Sequence, residues 1–268
     1  AKPTHVTTGD INGDGKVDIL FVSNAAELKG IYWGNGDGTF SDVKLSAAIG
    51  GSGPVALADM NQDKLLDLVT GANAVSIQNG DGKGGFGSYY LTSAADFVDH
   101  LVVADLNGDE YLDVVSSGPR GIGVDINRPQ PYANIQYTGY PTVPNPVDGF
   151  GSALVVVDLD GDGDLDVATA QSAGHSEDFR VTTFLNDGKG KFTKKDDFED
   201  WVRSLAAGDF TNDGRPELLG AVGYKTGRGQ VFRNRGDGSF AETVDILKGT
   251  FEIRYDEQLA DVNHDNKL

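Results

Sequence analysis

One acidic nine-residue pattern recurs along the chain and constrains its fold more than any other feature of the sequence. Its densest copy, residues 158–166 (DLDGDGDLD), holds five carboxylates. These groups would repel one another in a compact turn unless a cation bound them. Calcium prefers about six to eight oxygen ligands, and this copy offers carboxylates at its positions 1, 3, 5 and 9 and a backbone carbonyl at position 7. Gly161 and Gly163 let the backbone curl around an ion, because glycine adopts positive φ at little cost.

The pattern occurs six times, at intervals that define a repeat. Short apolar runs precede the acidic loops at 55–58, 101–104 and 154–157, and others follow them at 17–22, 66–69, 112–115 and 165–168. Runs of this length, rich in β-branched residues, predict buried strands, so each loop is expected to join two strands. The copies begin 46 to 53 residues apart, at Asp10, Asp59, Asp105, Asp158, Asp209 and Asp261.

A second, glycine-rich pattern follows in four of the repeats. It reads NGDGTF at 35–40, NGDGKGGF at 79–86, NDGKGKF at 186–192 and NRGDGSF at 234–240. Such sequences favour tight hairpin turns, so we expect one strand before each turn and another from its phenylalanine. Four strands in each repeat are typical of a β-propeller blade. An EF-hand is excluded, because it needs helices on both sides and an acid at position 12.

Together the two patterns resemble the FG-GAP/VCBS repeat, the calcium-loop blade of integrin α-subunit heads, of fungal lectins of the Psathyrella and Pleurotus type, and of many secreted bacterial enzymes. The resemblance implies an all-β fold, a single β-propeller domain over residues 1–268. Its four-stranded blades are expected at about 5–48, 49–96, 97–149, 150–199 and 200–248, with a partial sixth at 249–268. The sixth loop stops at Leu268, one residue short of position 9. We therefore expect an incomplete propeller of six or seven blades, the alternative being a last strand that joins a partner chain.

The resemblance also implies the metal ligands, namely side chains at positions 1, 3, 5 and 9 and the carbonyl at position 7. We expect about four to six calcium ions in a structural role, because all-oxygen ligand sets favour calcium over zinc or copper. The expected ligands are Asp10, Asn12, Asp14, Lys16 and Asp18; Asp59, Asn61, Asp63, Leu65 and Asp67; Asp105, Asn107, Asp109, Tyr111 and Asp113; Asp158, Asp160, Asp162, Asp164 and Asp166; Asp209, Thr211, Asp213, Arg215 and Glu217; and Asp261, Asn263, Asp265 and Lys267.

The loops differ in quality. Lys64 stands at position 6 of the second loop, where glycine is usual, so backbone strain is expected there. The fourth loop has four ligand carboxylates against three in the first three loops and is expected to bind most tightly. The fifth loop departs twice, with Thr211 at position 3 and the longer Glu217 at position 9.

Composition narrows the partners. The chain carries 41 acidic and 22 basic residues, a formal charge of −19, which argues against nucleic acid and anionic membrane surfaces. It has no cysteine, and no apolar run is long enough to insert into a membrane. We expect a secreted, extracellular protein, since calcium is abundant outside cells and the first residues fit a processed terminus.

Ligand candidates lie where the repeat fails. The third repeat loses its glycine-rich turn and carries instead a stretch rich in proline and tyrosine. Tyrosine offers a sugar a flat apolar face with a polar tip. The alternatives are an outer-edge loop whose prolines block strand pairing and, in the fourth repeat, a solvated turn. The predicted ligand patch consists of Arg128, Tyr132, Tyr137, Tyr140, His175 and Asp178.

Catalytic signatures are absent from the sequence, which has no nucleophile elbow, zinc-protease helix motif or phosphate-binding loop. We therefore expect a calcium-stabilised, lectin-like protein without catalysis that binds glycans or glycoproteins, with homo-oligomerisation left open. Two alternatives stand beside it: an integrin-like module for protein–protein and cell adhesion, and the propeller of a secreted polysaccharide lyase or hydrolase.

Overall fold

The fold is built from β-strands. The structure, a computed structural model, describes residues 3–23, 28–41, 44–47, 53–92, 97–118, 121–128, 138–144, 150–172, 179–199, 202–222 and 228–245. Every regular element in these ranges is a strand, as the sequence predicts. Within the same ranges we find no helix with the length and apolar character needed to cross a membrane.

The described strands form five four-stranded antiparallel sheets, and the strands of each sheet follow one another in chain order. Each sheet therefore uses the strands of one repeat. The first contains β1 (His5–Gly9), β2 (Asp18–Ser23), β3 (Leu28–Tyr32) and β4 (Lys44–Ala47); the second contains β5 (Val55–Ala58), β6 (Asp67–Gly71), β7 (Val75–Gly80) and β8 (Phe86–Leu91). The third contains β9 (His100–Ala104), β10 (Asp113–Gly118), β11 (Gly121–Ile126) and β12 (Thr138–Pro144). The fourth contains β13 (Phe150–Val157), β14 (Asp166–Ser172), β15 (Phe179–Asn186) and β16 (Phe192–Glu199); the fifth contains β17 (Val202–Gly208), β18 (Glu217–Val222), β19 (Arg228–Asn234) and β20 (Phe240–Asp245).

The fourth strand of a repeat begins at the predicted phenylalanine in three cases, at Phe86, Phe192 and Phe240. In the first repeat the prediction is wrong. Phe40 forms only an isolated bridge with Gly34, and β4 begins at Lys44. The hairpin still closes at Gly34 and Phe40, because the turn residues hydrogen-bond to one another. The regular pairing of β3 with β4 starts later.

The fourth strand of the third repeat, β12, contains Pro141 and Pro144 and lies at the edge of its sheet. Proline removes a backbone donor, and an edge strand has one side on which that donor is not needed. The prolines therefore do not prevent residues 138–144 from forming a strand, and that strand lies at the edge of its sheet, where the alternative interpretation placed this segment.

The chain divides into two compact units, Ala1–Gly118 with Ile122–Thr142, and Pro119–Gly121 with Val143–Leu268. In each unit the core lies between consecutive sheets. In the first, Leu20 and Ile31 of the first sheet pack with Leu68 of the second. In the second, Val181 of the fourth sheet belongs to the same cluster as Phe232 of the fifth. The central strands are buried on both faces, which explains their continuous apolar runs.

The glycine-rich turns use a second set of acids. In each turn an aspartate carboxylate accepts the backbone N–H two residues later, a bond that closes the reversal locally. Hydrogen bonds from the Thr39 hydroxyl and then the Thr39 N–H lower the pKa of Asp37, and those from the N–H groups of Lys83 and Gly85 lower the pKa of Asp81. The aspartates are Asp37, Asp81, Asp187 and Asp237, which accept N–H groups of Thr39, Lys83, Lys189 and Ser239.

Candidate metal centres

Each described acidic loop joins the first and second strands of its sheet, as the sequence predicts. Position 1 follows the last residue of the first strand, and position 9 is the first residue of the second strand. The loops lie at 10–18, 59–67, 105–113, 158–166 and 209–217, and we call them the first to fifth loops.

The backbone of each loop wraps around the carboxylate at position 1. In all five loops one of its oxygens accepts the backbone N–H five residues later, at 2.8 to 3.0 Å. Its other oxygen accepts the N–H of position 5 in four loops and of Gly161 in the fourth. The donors to the first of these oxygens are Gly15, Lys64, Glu110, Gly163 and Gly214.

Positions 3 and 5 continue the same inward pattern. In the third loop the side-chain oxygen of Asn107 accepts the N–H of Asp109 at 3.1 Å, and an Asp109 oxygen accepts the N–H of Tyr111 at 2.9 Å. The Asn107 amide also donates to Asp109 at 3.0 Å. The first and second loops repeat these contacts. In these three loops the side-chain oxygens at positions 3 and 5 therefore accept N–H groups of the same short turn that the carboxylate at position 1 closes.

The carboxylate at position 9 is buried and bonded from two sides. Asp113 is 0% exposed; one oxygen accepts the N–H of Leu106 at 2.9 Å and the other accepts the N–H of Asn127, just after β11, at 2.7 Å. The first, second and fourth loops show the same pair of bonds. This carboxylate thus fixes its own loop to the end of the third strand, a role that the sequence did not reveal.

Burial of these carboxylates has an electrostatic cost. Desolvation raises the pKa of Asp67 to about 6 and that of Asp113 to about 7, against the backbone hydrogen bonds that lower them. The neighbouring acids of the same loop raise them further. Within the described residues no lysine or arginine forms an ion pair with either carboxylate. A buried anion without a cationic partner is costly, so these loops need a positive charge that the described side chains do not supply.

The donor set fits a hard divalent cation. In the fourth loop, ligand oxygens of Asp158, Asp160 and Asp166 all lie within 4.8 Å of one another. Desolvation, outweighing an opposing backbone hydrogen bond, also raises the pKa of Asp160. Oxygen atoms from carboxylates, amides and backbone carbonyls are the ligands calcium prefers, and the set contains neither histidine nor cysteine. The residues present would therefore hold calcium, with the fourth loop the most acidic site.

In the first, second, fourth and fifth loops the side chain at position 7 lies against the glycine-rich turn of its own repeat. Side-chain atoms of Lys16 and Leu65 lie within 4 Å of where a Cβ would stand on Gly36 and Gly82 of the glycine-rich turns. Asp164 and Arg215 lie in the same way beside Gly188 and Gly236. The Asp164 carboxylate thus lies beside the turn, and only its carbonyl remains as the predicted ligand.

The fifth loop satisfies its closing acid locally. An oxygen of Glu217 accepts the N–H groups of Phe210 and Thr211, at 2.9 and 3.2 Å. The Thr211 hydroxyl donates to the other Glu217 oxygen at 3.3 Å. The Thr211 side chain therefore hydrogen-bonds to Glu217, so both departures of this loop from the pattern meet in one contact.

The second loop carries the backbone strain expected from its sequence. Lys64 has φ 70°, a left-handed conformation that favours glycine. Gln62 in the same loop and Glu110 in the third also have positive φ, at 61° and 69°, which the sequence analysis did not anticipate. The signal was available, because glycine occupies the equivalent positions in the fourth loop.

The predicted ligand patch is only partly described. Arg128 is exposed just after β11, and Tyr140 belongs to β12. Tyr132, Tyr137, His175 and Asp178 lie outside the described residues, as do the sixth-loop ligands Asp261, Asn263, Asp265 and Lys267. The structure therefore neither brings the patch together nor separates it.

Exposed aromatic and apolar side chains occur elsewhere, on and near the edge strand β8. Tyr89 is 46% exposed and Leu91 is 62% exposed, on the same face of the strand. Phe97 is 63% exposed and has φ 53°, which is unusual for an aromatic residue. Sequence reasoning did not single out these residues, although period-2 alternation in β8 would have placed Tyr89 and Leu91 together.

Two solved structures share the fold. An Agrocybe aegerita lectin that recognises non-reducing terminal N-acetylglucosamine aligns with a TM-score of 0.59 and 23% identity, over 91% of this chain and 65% of the lectin chain. The V. cholerae biofilm matrix protein Bap1 aligns with a TM-score of 0.50 and 18% identity, over 90% of this chain and 38% of Bap1. The chain thus spans less than two thirds of either relative.

Sequence comparison identifies the repeat itself. No curated protein matches the chain significantly in sequence. The sequence model of the FG-GAP-like repeat matches residues 10–70, 158–220 and 209–268, more than half of the chain. Each match begins at position 1 of an acidic loop and extends over the next acidic loop in the sequence. The chain therefore belongs to the FG-GAP-like repeat family.

Proposed function

We propose that this chain is a calcium-stabilised, extracellular glycan-binding protein without catalysis, and that its five described sheets are successive blades of a β-propeller. The observation that carries the calcium part is the buried carboxylate at position 9. It recurs in the described loops, it forms no ion pair with a described lysine or arginine, and in the fourth loop its ligand oxygen lies within 4.8 Å of those of Asp158 and Asp160. Calcium would supply the missing charge.

The protein residues do the remaining work of the loop. Asp105 orders the turn through the N–H of Glu110, and Asp113 ties the loop to the N–H of Asn127. Binding of a cation to such a folded set adds its free energy to the stability of the folded state. The proposed role of calcium is therefore to hold the strand reversals together.

Glycan binding is supported by the shared fold with a lectin and by the surface chemistry. The described surface offers the aromatic face of Tyr89 and the exposed guanidinium of Arg128. Sugars are bound by such aromatic faces together with polar hydrogen-bonding groups. The Arg128 side is favoured, because the third repeat departs from the pattern there.

A glycan array tests this proposal. The calcium-loaded chain is expected to bind a defined set of glycans, with terminal N-acetylglucosamine as the first candidate, and to lose binding on chelation. Arg128→Ala and Tyr140→Ala are expected to weaken binding at least about tenfold, whereas Lys83→Ala, an exposed turn residue, is the matched control.

The two parts of the proposal can fail separately. A folded, calcium-loaded chain that binds no glycan would contradict the lectin part and leave the calcium part intact. Loss of binding in Tyr89→Ala but not in Arg128→Ala would move the site to the β8 face. Glycan binding unchanged by chelation would contradict the dependence of the binding surface on calcium.

A further inference from the structure

We propose that the second and third loops bind calcium cooperatively, through a buried hydrogen-bond chain centred on Asn127. The proposal rests on the calcium part of the proposed function. It assigns Asn127 as a positioning residue that joins two metal loops of neighbouring repeats. All the residues of the hydrogen-bond chain lie in the first compact unit.

The hydrogen-bond chain links one predicted calcium ligand to another. Asp67, at position 9 of the second loop, accepts the N–H of Met60 at 2.9 Å. The carbonyl of Met60 accepts the side-chain amide of Asn127 at 2.7 Å, and the N–H of Asn127 donates to Asp113 of the third loop at 2.7 Å. The Asn127 amide also donates to the carbonyl of Leu112, at 3.2 Å.

The groups of this hydrogen-bond chain are buried, which makes the arrangement rigid. Met60 is 1% exposed, Asn127 is 2% exposed, and both carboxylates are fully buried. A displaced group here would lose its partner where water cannot replace it, which costs more than the bond contributes on balance. A cation that fixes Asp67 therefore restrains the two peptide groups on either side of the Met60 Cα, the Asn127 side chain and, through the Asn127 N–H, the Asp113 carboxylate. By linkage, a cation on Asp113 favours the same arrangement at Asp67.

A second contact joins the same two loops at their surface. The Gln62 side-chain amide donates to the Glu110 carbonyl at 2.9 Å. Both residues have positive φ, so the contact depends on the curled form of both loops. The contact and the buried chain favour the same pair of loop conformations.

The first and second loops provide an internal comparison. Gly80 occupies the place of Asn127 in the second repeat, and its N–H donates to Asp67 at 2.8 Å as the Asn127 N–H does to Asp113. Glycine has no amide side chain, so the link to the preceding loop is missing there. In the second unit Asn234 reproduces the side-chain link, donating to Leu159 at 2.7 Å and to Pro216 at 3.0 Å.

Terbium titration of the full chain tests the coupling, because lanthanides occupy oxygen-rich calcium loops. Tyr111, at position 7 of the third loop, is placed to sensitise terbium bound there, and the signal lost in Tyr111→Phe is assigned to that loop. Asp63→Ala, which removes a ligand of the second loop, is expected to weaken terbium binding at the third loop by about fivefold or more. In an Asn127→Ala background, Asp63→Ala is expected to have a much smaller effect, and with Gln62→Ala added as well it is expected to have none.

The controls separate coupling from general damage. Asp14→Ala disables the first loop in the same way and is expected to leave third-loop affinity unchanged. Asn234→Ala removes the equivalent link in the second unit and is expected to leave the effect of Asp63→Ala intact. If Asn127→Ala fails to fold, the contrast between Asp63→Ala and Asp14→Ala still decides.

Two results would overturn the proposal. Equal effects of Asp63→Ala and Asp14→Ala on the third loop would show that the second loop has no special connection to it. An undiminished Asp63→Ala effect in the Asn127→Ala background would exclude the Asn127 route. If no loop binds terbium or calcium, the calcium part of the proposed function fails as well, whereas independent binding at both loops overturns only the coupling.

Discussion

At the scale of single residues, the carboxylate at position 9 carries two tasks. It accepts one N–H from its own loop and one from the chain after the third strand, as Asp166 does from Leu159 and Asn186, both at 2.8 Å. An ionised carboxylate has about four lone-pair sites, so two remain for a cation. The same oxygens thus position the backbone and would face the proposed cation, which accounts for an acid buried at this point.

The Asp166→Asn variant tests both tasks of this carboxylate. The amide keeps one acceptor oxygen but leaves a backbone donor without its partner, and it removes the charge that a cation needs. We expect a loss of about 2 to 3 kcal/mol of stability in calcium and about one bound ion fewer, measured by denaturant unfolding and calcium stoichiometry. Asp164→Asn is the control, because that side chain lies beside Gly188. An equal loss of calcium in both variants would contradict the assignment.

The buried acids also predict an unusual pH dependence of the calcium-free protein. Burial raises the pKa of Asp67 and Asp166 to about 6 and that of Asp113 to about 7, whereas an unfolded aspartate titrates near 3.9. The folded chain therefore binds protons that the unfolded chain does not. The resulting stabilisation is complete below about pH 4 and is lost as the pH rises through about 6 to 7.

Melting curves in calcium-free buffer check the direction of this pH dependence of stability. The melting temperature is expected to rise as the pH falls from about 8 to about 5, and Asp113→Asn is expected to flatten the dependence. In calcium the trend reverses, because protons compete with the cation. A calcium-free melting temperature that falls on acidification over this range would show that these acids are not destabilised by burial.

At the scale of elements, the acidic loop is a short turn with a fixed set of left-handed positions. Where glycine fills them, as at Gly161 and Gly163, the conformation is free of steric cost. Where Gln62 and Lys64 fill them, the second loop must be held in shape by its contacts. The loop conformation is therefore set by the carboxylates as much as by local preference.

Lys64→Gly tests the strain directly. Removing the side chain at φ 70° is expected to stabilise the calcium-loaded protein by about 1 kcal/mol. Lys83 is also exposed and is not among the residues with positive φ, so Lys83→Gly is expected to destabilise by up to about 1 kcal/mol. Urea midpoints of the two variants give the comparison, and destabilisation by Lys64→Gly would contradict the account of this loop.

Much of this arrangement could be predicted from the sequence, because acids and apolar runs repeat at fixed positions. The strands on both sides of each loop and the strained Lys64 follow from that pattern. The late start of β4 at Lys44 could not be predicted, since it depends on where pairing with β3 resumes. Asn127 was equally hidden, because its partner Met60 belongs to another repeat and only the packing of two sheets brings them together.

At the scale of the whole molecule, the fold must accommodate a formal charge of −19. Self-repulsion of this size opposes a compact chain, and divalent cations in the loops would relieve it where the acids are densest. The hydrophobic clusters lie between consecutive sheets within each unit, next to the loops. Under the proposal, the cores and the bound cations would stabilise neighbouring parts of the same sheets, and loss of the cations should weaken the whole structure.

A melting curve of the full chain in calcium and in excess EGTA tests this central claim most directly. At about 100 times the dissociation constant, each site adds about 2.7 kcal/mol. Each kcal/mol corresponds to about 2 to 4 °C in a chain of this size class. With several sites filled, we expect chelation to lower the melting temperature by at least about 15 °C, and added calcium to restore it. An identical melting curve in calcium and in EGTA would contradict the account.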